Sequence, residues 1–178
     1  YSTESPRARP VVCKPTQKIF YLDNGMKILV VQNDVLTTSS VSLDVRVGSL
    51  NDPIDTQGLA HLVEHVLFSS ESNSFRKLLF NHSYSNSGAI TSKFDTYYFF
   101  GISSVNFDEG LKEFARIFQK HPISQDLVNS EIKAVDSEYI QRRENQYEKG
   151  HFIFLDKAFP DHPMHQFYVG NSISLQGV

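Results

Sequence analysis

Between Gly58 and Ser69, the apolar residues Leu59, Leu62, Val63, Val66 and Leu67 recur at i, i+3, i+4, i+7 and i+8. That rhythm predicts an amphipathic helix with a single buried stripe. The same phase puts His61, Glu64 and His65 on the opposite face. Side chains three and four apart on a helix are neighbours, so two imidazoles and a carboxylate can converge on one metal ion and its bound water. A lone histidine is ordinarily a satisfied structural group. Three residues able to serve a metal, gathered on the non-core face of one helix, are instead the pattern of a zinc hydrolase.

A catalytic zinc needs a third protein ligand and a fourth position left open. Candidates lie on a second helical stretch, Asp126 to Tyr147, where Val128, Ile132, Val135 and Tyr139 step by four, three and four. Glu131 and Glu138 flank that stripe, two turns apart on one face. By spacing alone they read equally well as part of a solvated charged face, because Lys133, Asp136, Arg142, Arg143 and Glu144 lie in the same stretch.

Around these helices the sequence predicts strands in adjacent pairs. Lys18–Leu22 and Met26–Gln32 flank Asp23-Asn24-Gly25, whose Asn-Gly favours a tight hairpin turn. Val41, Leu43, Val45 and Val47 alternate with polar residues, as in a strand with one buried face. A short helix is expected around 74–80, strands near 89–92 and 96–103, and a helix over 108–119 with Leu111, Phe114, Ala115 and Phe118 on its apolar face. The expected class is α+β, a mostly antiparallel mixed sheet with helices packed on one face. His162-Pro163-Met164-His165 reads as a loop because Pro163 disfavours a regular helix there. Phe152, Phe154, Phe159, Phe167 and Tyr168 read as packing groups.

The run Gly58-Leu59-Ala60-His61-Leu62-Val63-Glu64-His65-Val66-Leu67-Phe68 resembles the inverted zinc signature of the M16 metallopeptidases, on its insulin-degrading enzyme, nardilysin and pitrilysin branch. Glu131 to Glu138 resembles the family's distal glutamate segment, and further echoes are Leu43 to Ser49, Thr91-Ser92, Thr96 to Phe99 and Gly170-Asn171. The resemblance implies the M16 (LuxS/MPP-like) fold, with Zn2+ held by His61, His65 and Glu138, Glu64 as the base and Glu131 in support. It also implies a peptide substrate that adds as a strand along Ser87, Gly88 and Ala89. At Gly88 this chain departs from the branch, which typically has asparagine there; the glycine removes a side chain that could contact substrate. Residues 1–16 are expected to form a polar extension and 17–178 the N-terminal catalytic domain of a larger clamshell, completed by a second half or a partner chain. The competing expectation is a non-catalytic M16-like subunit that holds a peptide or partner chain in its groove.

Composition bounds the rest. A chain of 178 residues can bury one sizeable core. A formal net charge of −3 with interspersed signs gives no ground for nucleic acid or an anionic membrane as main partner. The longest apolar run, around Tyr97 to Ile102, is too short to span a bilayer. One cysteine, Cys13, fits a reducing compartment, so a cytoplasmic location is expected, with an organelle or secretion left open.

Overall fold

The computed structural model describes residues 15–70, 72–82, 86–119, 122–157 and 161–178. Cys13 and most of the expected polar extension lie outside them, as does Phe159. The chain divides into two compact units, one ending at Thr37 and the other running from Thr38 to Val178.

The first unit contains an antiparallel hairpin, β1 (Thr16–Tyr21) with β2 (Lys27–Gln32), in the register Tyr21 to Lys27. Its turn is made as the Asn-Gly pair predicts. Gly25 takes φ +85°, and the Asn24 side chain accepts a hydrogen bond from the Met26 amide at 3.1 Å.

The second unit is built on a three-stranded antiparallel sheet in the order β3 (Thr38–Val45), β5 (Thr96–Ser103), β4 (Asn86–Thr91), so β4 is an edge strand. Five α-helices accompany it among the described residues: α1 (Leu59–Ser70), α2 (Ser72–Asn81), α3 (Phe107–Ile117), α4 (Gln125–Glu144) and α5 (Gln146–Lys157). Alternation along β5 points Tyr98, Phe100 and Ile102 to one face, where Phe75, Leu78 and Leu79 of α2 and Phe114 and Ile117 of α3 pack on them. Val41 and Leu43 of β3 and Ala89 of β4 share that face. Phe75 meets the Phe100 ring edge-on at 5.4 Å, and Phe100 lies 5.0 Å from Phe114, so interlocked aromatic rings fix where the helices sit. A second, smaller core joins Leu62 and Val66 of α1 to Val135 of α4 and Leu175. The sheet and its covering helices thus have the α+β architecture expected from the strand pairs.

Four local readings need correction. Val41 and Leu43 of β3 pack on the core, but Val45 and Val47, expected on the same buried face, are exposed. The packed face of α3 runs through Gly110, Phe114 and Ile117 to Phe118 at its C-terminal end, as expected for Phe114 and Phe118, while Leu111 and Ala115 are exposed. Gly110 carries no hydrophobic signal, yet it is what allows α3 onto the sheet: a Cβ there would stand 3.0 Å from the Phe100 ring. On α1, Val63 is 45 % exposed whereas His61 is buried. That helix lies between β4 and α4, so its polar face is roofed and the uncovered side falls at Val63. Phe154 is exposed on α5 rather than packed.

Candidate metal centre

The site begins with how the start of α1 is held. The buried Asp52 carboxylate accepts hydrogen bonds from the amides of Gly58 and Ala60, each at 2.8 Å, satisfying donors that a helix N-terminus leaves free. Gly58 and Gly170 both take positive φ, +92° and +82°, and their backbones press together where a Cβ on Gly58 would collide with the Gly170 Cα. This contact brings the carbonyl of Val169 within 2.7 Å of His61 Nδ1. A carbonyl can only accept, so His61 keeps a proton on Nδ1 and turns Nε2 to the cleft, where the neutral ring offers a lone pair.

His65 is oriented in the same way by α4. Its Nδ1 donates to Glu131 Oε2 at 3.2 Å, which turns Nε2 toward the cleft and Glu138. Glu138, two turns along α4, sends Oε2 to within 3.6 Å of His61 Nε2 and 3.4 Å of His65 Nε2. The other oxygen of Glu138 is gripped by Arg142 from the next turn, through Nε at 2.8 Å and a terminal nitrogen at 2.7 Å. Two imidazole nitrogens and one carboxylate oxygen therefore converge, all within 4.8 Å of one another.

This donor set fits zinc. Tetrahedral coordination with bonds of about 2.0–2.1 Å places neighbouring ligand atoms about 3.3–3.5 Å apart; Glu138 Oε2 stands 3.4 and 3.6 Å from the two imidazole nitrogens, and all three donors lie within 4.8 Å of one another. Three protein donors with an open side are the catalytic rather than the structural pattern.

Electrostatics hold the same groups together. The His65 hydrogen bond, helped by the charges of His61 and Arg142, holds the Glu138 carboxyl at about 2 against the opposing effect of burial. Reciprocally, Glu138 and then Glu131 raise His65 above its ordinary value, again against burial.

Glu64 stands apart from the three converging donors and faces the edge strand, where the Thr91 hydroxyl donates to its Oε2 at 2.5 Å. The cleft, about 200 Å³, is bounded by His61, Glu64 and His65 on α1, Ala89, Ile90 and Thr91 on β4, Glu138 and Arg142 on α4, and Tyr168 with Val169. Ser87 and Gly88 lie farther along β4, outside this cleft, while Ala89 borders it.

Three participants escaped the sequence reading. Arg142 was visible only as one charge among many, although its i+4 spacing from Glu138 was a usable signal. Tyr168 read as packing, but it walls the cleft and donates to Glu148 at 3.1 Å. The Val169 carbonyl reaches His61 across 108 positions of chain, and only the Gly170-Asn171 echo hinted at it. His162 caps the 3₁₀ turn Pro163–His165, and neither it nor His165 joins the metal-binding group.

Residues 27–158 match the family described as Insulinase (Peptidase family M16). The chain is 34% identical over 159 residues to the insulin-degrading enzyme homolog of Dictyostelium discoideum, covering 87% of this chain and 16% of that protein. It is 34% identical over 162 residues to the insulin-degrading enzyme of Homo sapiens, with the same coverage of both, 87% and 16%. Its fold superposes on the crystal structure of pitrilysin with a TM-score of 0.83 at 26% identity, covering 93% of this chain and 18% of pitrilysin. The chain thus spans about a sixth of the length of the relatives it matches. A family match over most of the chain, a shared fold, and two histidines and a glutamate converging as a zinc donor set place this protein in the insulinase family, peptidase family M16.

Proposed function

We propose that this chain is the metal-bearing catalytic domain of a zinc-dependent endopeptidase. The observation that carries the reading is the convergence of His61 Nε2, His65 Nε2 and Glu138 Oε2 beside a separate carboxylate, Glu64, on the substrate-facing side. His61, His65 and Glu138 would hold the ion; Val169, Glu131 and Arg142 position them. A bound zinc supplies an acidified water, with a pKa of about 7, and polarises the carbonyl to be attacked.

The chain's own residues supply the rest. The Thr91 hydroxyl fixes the rotation of the Glu64 carboxylate through Oε2, leaving Oε1 to take the proton of the attacking water. Glu64 then returns that proton to the leaving amine nitrogen as the C–N bond breaks, so one residue serves both halves of the hydrolysis. A peptide laid along edge strand β4, next to the backbone of Ser87, Gly88 and Ala89, would pass the cleft with a carbonyl facing the metal centre. Because the matched relatives are far longer, we assign the opposite wall of the substrate groove to a second M16-type half or a partner chain. A purely peptide-holding subunit is the weaker reading, since it gives Glu64 and the full donor set no task.

Peptide cleavage by the full-length protein tests this directly. Cleavage should vanish with a chelator and return with zinc. Cleavage that persists through chelation would refute the metal dependence, and zinc bound without any cleavage would favour the peptide-holding subunit.

A further inference from the structure

We propose that a second hollow, beside the N-terminal half of β4, selects an acidic side chain in the substrate two to four residues from the scissile bond. The proposal rests on the peptidase reading above and adds the substrate class. Five consecutive residues of β4 border two cavities: Ala89, Ile90 and Thr91 border the metal cleft, and Ser87 and Gly88 border a hollow of about 610 Å³. A peptide paired with the edge strand advances about 3.3 Å per residue, so it would leave the first cavity and enter the second within a few positions.

The hollow's chemistry is one-sided. Arg76 and Lys77, adjacent on α2, both line it and both are exposed. Among the described residues neither is paired with a carboxylate, and no acidic side chain lines the hollow. Phe68 of α1 and Phe80 of α2 supply apolar walls, Phe80 with 80 % of its surface exposed. A glutamate would place its methylene stem between these rings and its carboxylate against the Arg76 guanidinium, which suits a planar anion, with Lys77 adding a second positive charge. A basic side chain would be repelled. An apolar side chain would cover both cations without giving them a partner.

The test uses the zinc-loaded, full-length protein and a set of peptides differing only by Glu, Gln, Phe or Lys at single positions around one cleavage site. At one position two to four residues from that site, Glu should exceed Gln in kcat/KM by about tenfold. The double charge reversal Arg76→Glu with Lys77→Glu should keep its zinc and invert the order, favouring Lys over Glu at the same position. Binding of the same peptides to the Glu64→Gln protein, followed by fluorescence anisotropy, should show the same two orders. This second readout separates the ideas: absence of cleavage with a preserved Glu preference in binding would defeat the peptidase reading and leave the acidic subsite standing. Equal binding and turnover of Glu and Gln peptides, or a Phe preference untouched by the charge reversal, would overturn the subsite.

Discussion

Each histidine of the converging group is fixed by a different partner, and the consequences differ. His61 leans on a backbone carbonyl that no substitution removes directly, whereas His65 leans on Glu131 and both face Glu138. Glu138→Gln should therefore weaken zinc retention more than Glu131→Gln, for which a loss of about 10–100-fold is expected from an orienting partner. Competition titration with a zinc chelator would show it, and the reverse ranking would exchange their roles. The ion pair between these groups also sets a pH dependence. His65 is raised above its ordinary 6.5, so its contribution to the metal-free fold is full below 6.5 and fades as pH rises through the raised value. Glu138 is depressed, so its contribution is present above its ordinary 4.5 and is lost as pH falls toward about 2. The metal-free protein should thus draw most from this pair between 4.5 and 6.5. Zinc requires neutral His65, so zinc affinity should fall as pH drops through that raised value, with proton uptake on release; an affinity that has not begun to fall by the ordinary histidine value of 6.5 would contradict it. The histidines and Glu64 were readable because helical phase alone groups them. Arg142 and the Val169 carbonyl were not, because a bidentate grip and a contact across 108 positions exist only after folding.

At the scale of elements, the hairpin and the sheet strands were readable from Asn-Gly chemistry and period-two alternation, and β5 matches its expected span, Thr96–Ser103. The faces of α1 and α3 were harder, since Gly110 packs without being apolar and His61 is buried without being a core residue. The break between α4 and α5 was also missed, although Asn145 accepts hydrogen bonds from the amides of Tyr147 and Glu148 and so caps α5. The element junction that matters most to the site is Gly58 against Gly170. Gly58→Ala would meet both a positive φ and a backbone collision. It should destabilise the fold by more than about 1 kcal/mol, the strain of a non-glycine residue in that conformation, and should weaken zinc retention by displacing the Val169 carbonyl. Thermal unfolding with a parallel zinc assay checks this; an unchanged Tm and zinc affinity would show that the contact is slack.

At the scale of the whole molecule, the described residues set β4, at an edge of the sheet, beside the converging His61, His65 and Glu138, while the relatives this chain resembles are about six times as long. Among the described residues no helix is long and apolar enough to cross a membrane. The family could be read from His61 to His65 together with Glu131 and Glu138. The proposed division of labour at the centre gives three residues the task of holding zinc and Glu64 that of moving the proton. Zinc content and peptide turnover, measured on the same preparations of the full-length protein and its Glu64→Gln variant, test it most directly. The prediction is one zinc per chain in both and a fall in kcat of about 10²–10⁴-fold in the variant. Unchanged turnover in the zinc-loaded variant would remove Glu64 from its role and contradict the account.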